Sequence, residues 1–260
     1  MNIEVKKQNI ESIINDYNED INNKELEFIY KKNITEDKLK SIFTFLNTSL
    51  KQKPELQYIL DISIPSISNQ HRLSFKTQSD DILKSHCLNE KNNNFDSYDL
   101  EYKKLLNRYD ITDYNIRINL KNEYQETNDE IKKQFYDNYN KFVKEYRFKK
   151  RYSYKLDNFT IDISIVKSNK SRNIVIANLS DILEHYEIEI ECNKKIINID
   201  IISSILRYMT SFMQISNNCY FIPKNSLNQN ILQQYKSMLN KYGFKTVGPK
   251  PITLTKKTIP

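Results

Sequence analysis

In Glu187-Ile188-Glu189-Ile190-Glu191 a period of two sets three carboxylates on one face of a strand and two isoleucines on the other. Same-face side chains on a strand stand roughly 6.5–7 Å apart. The three charges therefore repel one another unless water screens them or cations neutralise them. Alone, the run reads as a sheet face turned to solvent. Glu25-Leu26-Glu27-Phe28 repeats the pattern near the other end of the chain. Side by side, the two strands gather carboxylate oxygens, the hard ligand set that Mg²⁺ or Mn²⁺ prefers. Buried without cation or counter-charge, such a cluster is costly. A counter-charge is present in Arg147-Phe148-Lys149-Lys150-Arg151, whose alternation puts Arg147, Lys149 and Arg151 on one face. By itself that run is equally a basic sheet edge that blocks aggregation. Further strands carry a polar face: Arg72, Ser74 and Lys76; Arg117, Asn119, Lys121 and Glu123; Asp162 and Ser164. Together they describe a sheet with one apolar face and one face densely charged in both signs.

The elements that position these residues follow from periodicity. Alternation predicts strands over Glu25–Lys31, Leu56–Ser63, Arg72–Gln78, Tyr98–Leu106, Tyr114–Glu123, Phe142–Tyr154, Phe159–Lys167, Asn173–Ala177 and Tyr186–Cys192. Their short spacing favours an antiparallel sheet or closed barrel over a parallel α/β arrangement. A flat sheet leaves its charged face in water. A closed barrel turns that face into a hydrophilic tunnel, with the apolar faces outward under helices. Helices are expected from Thr35, as N-cap, to about Leu50. A capping box at Thr127-Asn128-Asp129-Glu130 opens another to about Asn140. Apolar spacing gives one over about Asp200–Ile215, and a last one opens at Ser226 and stops at Gly243. Val247-Gly248-Pro249-Lys250-Pro251 and the basic tail read as a linker over 244–260, and residues 1–243 as one domain. Asn92–Asn94 reads as a polar loop, and the charged N-terminus, Met1 to Tyr17, shows no signal-peptide core.

Composition sets bounds. The chain has 260 residues, 40 Lys+Arg against 33 Asp+Glu, and a net charge of +7, which points to an anionic partner without separating RNA, nucleotide and membrane surface. No apolar run reaches the ~18 residues of a membrane span. Cys87, Cys192 and Cys219 are odd in number with no CxxC spacing, and read as reduced thiols. His86-Cys87 lacks a second ligand pair, so zinc chemistry is set aside.

Glu25-Leu26-Glu27, Arg147-Phe148-Lys149-Lys150-Arg151, Asp162-Ile163-Ser164 and Tyr186-Glu187-Ile188-Glu189-Ile190-Glu191 resemble, in order and spacing over about residues 20–195, the triphosphate tunnel metalloenzyme family. Within it the likeness is to the RNA triphosphatase domains of fungal and viral mRNA capping enzymes, above all the giant-virus, mimivirus-type ones. The resemblance implies a β-dominated α+β fold: a closed antiparallel eight-stranded β-barrel with helices packed outside. It implies that Glu25, Glu27 and Glu191 hold Mg²⁺ or Mn²⁺, and that Glu187 and Glu189 line the same wall, ordering water or bracing basic residues. Lys149, Arg151 and Arg72 would grip the γ-phosphate, supported by Arg147, with Arg117 on the same basic face. Lys104, in Tyr102-Lys103-Lys104, resembles a phosphate-facing lysine, with the adjacent Lys103 as the alternative register. Glu123 resembles the glutamate near the attacking water, a role for which Glu189 is the other candidate. Asp162 would orient a basic neighbour, and Ser164 stands where some members have threonine.

The expected function is a metal-dependent polynucleotide 5′-triphosphatase that removes the γ-phosphate of triphosphate-ended RNA as the first step of capping. Its partners would be that RNA end and a covalently linked guanylyltransferase beyond the linker. The expected location is intracellular, in a cytoplasmic viral factory or the virion. Three other readings stand beside it. A tunnel enzyme for NTP, inorganic triphosphate or thiamine triphosphate has no evident use for the linker. A non-catalytic RNA-binding module has no need for five glutamates on two strands, which would repel the backbone. A scaffold with a solvated sheet face predicts that alanine at those glutamates raises stability and changes nothing else.

Overall fold

The computed structural model describes residues 3–83, 98–170, 183–217, 219–220 and 254–255. The chain divides into two compact units, Met1–Met209 and Thr210–Pro260. In the first, eight strands close an antiparallel barrel: β1 (Lys24–Tyr30), β2 (Glu55–Ile64), β3 (Ser68–Thr77), β4 (Asp99–Ile111), β5 (Ile116–Gln125), β6 (Glu145–Lys155), β7 (Phe159–Asn169) and β8 (His185–Cys192). Around the barrel they run β1-β5-β4-β3-β2-β6-β7-β8, and β8 returns to β1. The expected closed barrel is thus the observed one.

Closure fixes which face is which. Alternate residues of β2 and β3, namely Leu60, Ile62, Ile64, Leu73 and Phe75, join one buried apolar cluster with Phe135 and Tyr139, from and just after the helix Asp129–Asn138. This is the outer face of the wall, covered by helix as the periodicity implied. Helix α2 (Glu36–Leu50) buries Leu39, Ile42 and Leu46, and its Asn47 Oδ1 accepts a 2.8 Å hydrogen bond from the buried Tyr154 hydroxyl of β6. Its Thr35 N-cap is extended but makes no side-chain capping bond, so acidic Glu36 and Asp37 remain to stabilise the first turn. Helix α3 (Asp129–Asn138) is capped one residue later than the capping box implied. Asn128 Oδ1 accepts from the N–H groups of Glu130 and Ile131 at 2.9 and 3.3 Å, where Thr127 was expected to cap.

Helix α1 (Ile3–Glu19) was not expected at all. Its buried Ile13, Ile14 and Tyr17 follow helical spacing, but they are so diluted by charge that the stripe is short. Asn18 clamps it: Nδ2 donates to the Ile197 carbonyl at 2.8 Å, and Oδ1 accepts from Ile197 N–H at 2.9 Å. Helix α4 (Ile199–Asn217) begins where Asn198 Oδ1 accepts from Asp200 and Ile201 N–H groups. In the second unit, β9 (Cys219–Tyr220) pairs antiparallel with β10 (Leu254–Thr255), so two residues of the expected linker form a short strand. The expected strand Asn173–Ala177, the Asn92–Asn94 loop, the His86-Cys87 pair, the Ser226–Gly243 helix and the rest of the linker lie outside the described residues.

Candidate functional site

Register decides what enters the barrel, because partners across a ladder share a face. Glu27 pairs with Glu191 and Ile29 with Glu189, so the two glutamate strands are neighbours with their carboxylates on the same side. Across β7 and β8, Asp162 faces Glu189 and Ser164 faces Glu187. Arg151 of β6 pairs with Ser164, and Arg147 pairs with Asp61 of β2. The same face carries Arg72 of β3, opposite Glu101 of β4, and Glu123 of β5, opposite Lys103. The interior therefore gathers Glu25, Glu27, Glu123, Asp162, Ser164, Glu187, Glu189, Glu191, Arg72, Arg147, Lys149 and Arg151, residues spread from 25 to 191 along the chain.

Two expected phosphate ligands fall elsewhere. Lys104 pairs with Asn122, on the opposite face of β4, and is exposed; Lys103 is the one that points inward. Alternation forbids both lysines from facing the tunnel. Arg117 lies on the inner register, but its guanidinium is held bidentately by Asp110, through Nε–Oδ1 at 2.7 Å and Nη2–Oδ2 at 2.9 Å. Lys31 joins Asp110 at 3.0 Å. That cluster is separate from the central one.

On the carboxylate wall, Glu27 is 2% exposed and Glu25 6%. Lys103 Nζ donates to both oxygens of Glu25, at 3.0 and 3.2 Å, and also pairs with Glu123. Lys121 pairs with Glu27, to which Asn119 Nδ2 donates at 2.8 Å. Burial pushes the Glu25 carboxyl up, but Lys103 and Lys121 outweigh it and hold it down near about 2. Glu27 goes the other way: burial raises it, and the nearby Glu189 charge adds to the rise. Glu191 is pushed up to about 7, first by burial and then by the Glu25 and Asp162 charges. Negative charge is thus over-concentrated where β1 meets β8, beside a cavity of about 270 Å³ lined by Glu25, Glu101, Glu123 and Glu191 among others.

The opposite wall is cationic. Lys149, 4% exposed, reaches Asp61 Oδ2 at 2.6 Å, and Arg72 Nη1 lies 3.5 Å from the same oxygen. Ser74 Oγ donates to Asp61 Oδ1 at 3.0 Å. Burial pulls the Lys149 ammonium down to about 8; Asp61 resists, while Arg147, Arg72 and Arg151 add to the fall. Asp61 itself is buried, yet Lys149 and Arg72 hold it well below the carboxylate range. Arg72 also grips Glu101, through Nε at 2.8 Å and Nη2 at 2.7 Å, and Lys76 meets Glu101 at 2.6 Å. Arg151 Nη1 stands 3.3 Å from Asp162, which accepts from Ser153 Oγ at 2.6 Å. Arg151 Nε is buried without a hydrogen-bond partner among the described residues, a donor left over for an oxyanion. Arg147 pairs with Glu187.

Asp61 and Glu101 were not singled out from sequence, Lys121 was read only as part of a polar strand face, and Lys103 was the alternative to Lys104. Asp61 and Glu101 sit alone in Leu60-Asp61-Ile62 and Leu100-Glu101-Tyr102; the signal was a single charge on the minority face of an apolar run.

The donor set suits a divalent cation. Glu25, Glu27 and Glu191 offer hard oxygens, and the raised Glu27 and Glu191 carboxyls mark a shortage of positive charge there. As the side chains stand, no three Asp, Glu, His or Cys groups among the described residues converge on one ion position; Glu25 and Glu27 are engaged by lysines instead.

No family model and no curated protein matches the chain. Among solved structures, it aligns with the RNA triphosphatase domain of the trifunctional mimivirus mRNA capping enzyme at 25% identity and a TM-score of 0.56, covering 82% of this chain and 100% of that one. A monoclinic form of the mimivirus capping enzyme triphosphatase aligns at 24% identity and a TM-score of 0.56, over 82% and 99% of the two chains. A triclinic form gives 22% identity and a TM-score of 0.53, over 80% and 97%. Aligned along the whole of that viral domain, the chain shares its fold, which here is a closed eight-stranded barrel.

Proposed function

We propose that the chain is a divalent-metal-dependent polynucleotide 5′-triphosphatase, releasing the γ-phosphate of triphosphate-ended RNA and leaving a 5′-diphosphate end. The observation that carries this reading is the pair of opposed walls, with Glu25, Glu27 and Glu191 on one side and Arg72, Lys149 and Arg151 on the other. Phosphoryl transfer asks a protein chiefly for positioning and charge neutralisation. Mg²⁺ or Mn²⁺ held by Glu25, Glu27 and Glu191 would neutralise charge on the γ-phosphate. Lys149 and Arg72 sit already assembled around Asp61, so their cationic groups are fixed before substrate arrives. Arg151 adds the unpartnered Nε, and Arg147 is steadied by Glu187. Glu123 or Glu189 would orient the attacking water and accept its proton. The RNA end as substrate is supported by the likeness to the mimivirus RNA triphosphatase domain. In this reading the 5′-diphosphate end is the substrate of a guanylyltransferase, the next catalyst, and the expected place of work is a viral factory or virion.

The test is a substrate panel. Phosphate release is measured from triphosphate-ended RNA, NTP, inorganic triphosphate and thiamine triphosphate, with Mg²⁺, Mn²⁺ or chelator. RNA is expected to be the best substrate by kcat/KM, with release lost in chelator. Preference for a small triphosphate transfers the site to that class, and RNA binding without turnover leaves a binding module.

Register adds a sharper expectation. Lys104→Ala and Arg117→Ala keep phosphate release within about threefold, because one side chain is outside and the other is already committed to Asp110. Lys103→Ala lowers it by at least about tenfold. Steady-state kinetics of the three variants check the register, and a larger loss in Lys104→Ala than in Lys103→Ala contradicts it.

A further inference from the structure

Glu25 and Glu27, two of the three proposed cation ligands, already have lysine partners inside the barrel. Lys103 spans Glu25 and Glu123, and Lys121 meets Glu27 alongside Asn119. Both lysines come from the β4–β5 hairpin, whose register sets Lys103 opposite Glu123, while β1 pairs Glu25 opposite Lys121. Each ammonium carries three donors but, among the described residues, no bond to a backbone carbonyl that would fix it in place, and each side chain remains partly open, 23% and 16% exposed. The remaining cations of the tunnel are tied to other acids: Lys149 to Asp61, Arg72 to Asp61 and Glu101, Arg151 to Asp162, Arg147 to Glu187.

We infer that Lys103 and Lys121 are built-in counter-ions that compete with a divalent cation for Glu25 and Glu27, and that they become triphosphate ligands only once the cation has taken those carboxylates. The inference rests on the metal-dependent reading above. It gives the two lysines a role that the Arg72–Lys149–Arg151 wall does not have. A monovalent ammonium keeps the acidic wall folded in the ion-free protein. A dication beside the same oxygens would repel the ammonium and turn it toward the tunnel, with Lys103 keeping only its contact to Glu123. Filling of the cation site and readiness for the polyanion are thereby linked, and the linkage is reciprocal.

Calorimetric titration of Mn²⁺ alone, without phosphate, reads the competition directly. Lys103→Met and Lys121→Met each bind Mn²⁺ at least about tenfold more tightly than the parent protein, since the internal competitor is gone. Lys104→Met, on the outer face, leaves Mn²⁺ binding unchanged. Titration with inorganic tripolyphosphate supplies the second arm. In chelator, Lys103→Met binds it within about threefold of the parent, because in both proteins this lysine is unavailable; with Mn²⁺ present it binds at least about tenfold more weakly. Unchanged or weaker Mn²⁺ binding in both lysine variants overturns the inference. So does an equal loss of tripolyphosphate binding with and without Mn²⁺, which makes the lysine an ordinary phosphate ligand. If the parent binds Mn²⁺ no better than Glu191→Gln does, the metal reading itself fails, and this inference with it. Should the methionine variants fold poorly, Lys103→Gln keeps a hydrogen-bond donor near Glu25, and its rise in Tm on adding Mn²⁺ is expected to exceed that of the parent; an equal or smaller rise counts against the competition.

Discussion

Glu191→Gln loses phosphate release by on the order of 10²–10³-fold or more, as for loss of a charge-stabilising group in other active sites, while its Tm in chelator is equal to or higher than that of the parent. The two halves of this result have one cause. Glu191 sits where burial and the Glu25 and Asp162 charges already disfavour a carboxylate, so removing its charge relieves the ion-free fold. A group kept for function at a cost in stability behaves this way. Glu27→Gln shares the loss of activity, but its stability gain is blunted because Lys121 loses its counter-charge, while the amide oxygen still accepts from Asn119. The pH dependence has a definite sign. The Glu191 carboxyl is raised in the folded protein, from its ordinary value to about 7, so across that interval the native state holds a proton that the unfolded chain has released. Stability of the ion-free protein from this group therefore falls as pH rises through about 7, and Glu191→Gln flattens the fall. Thermal denaturation in chelator at several pH values, beside phosphate-release kinetics, checks both. Full activity in Glu191→Gln, or a Tm several degrees lower, contradicts the assignment.

The second large effect is expected at Lys149. Lys149→Met lowers phosphate release by about 10²-fold or more and costs about 3–5 kcal/mol of stability, because Asp61 is left charged and buried. The double variant Lys149→Met, Asp61→Asn recovers most of the stability and none of the activity, which separates the charge from the fold. Burial holds the Lys149 ammonium down at about 8, so its positive charge is present below that pH and lost above it. In the parent protein kcat/KM therefore declines on the alkaline side of about pH 8. Lys149→Arg, which keeps its charge at all accessible pH, moves that limb upward whatever it does to the maximum. For stability the sign is opposite to that of Glu191. Between about 8 and the ordinary lysine range the native state binds fewer protons than the unfolded chain, so this group's contribution improves as pH rises across the window. A double variant with restored activity, or an unmoved alkaline limb in Lys149→Arg, rules Lys149 out as the titrating phosphate ligand.

Much of the barrel was legible because most of its strand sequence alternates, and a period of two admits one assignment of faces once closure is assumed. Glu25-Leu26-Glu27 and Glu187-Ile188-Glu189-Ile190-Glu191 carried the carboxylate wall in the same way. Lys103 against Lys104 was not legible: adjacent identical residues carry no phase, and β4 has an irregularity between Leu105 and Asn107 that breaks the count from its far end. Arg117 has the right phase but the wrong partner, since Asp110 comes from the other arm of its hairpin. Asp61 was hidden by its apolar neighbours, although a single buried acid among isoleucines requires a cation, and Lys149 is that cation. Helix α1 escaped because only Ile13, Ile14 and Tyr17 mark its buried side, against a run of charges that read as solvated chain.

The most direct test of the opposed-wall account is anomalous diffraction from crystals grown with Mn²⁺ and inorganic tripolyphosphate. The expected result is a Mn²⁺ peak bounded by Glu25, Glu27 and Glu191, with a terminal phosphate against Lys149, Arg72 and Arg151. Mn²⁺ bound away from those three glutamates, or tripolyphosphate held outside the barrel with the Lys103–Glu25 and Lys121–Glu27 pairs intact, contradicts it.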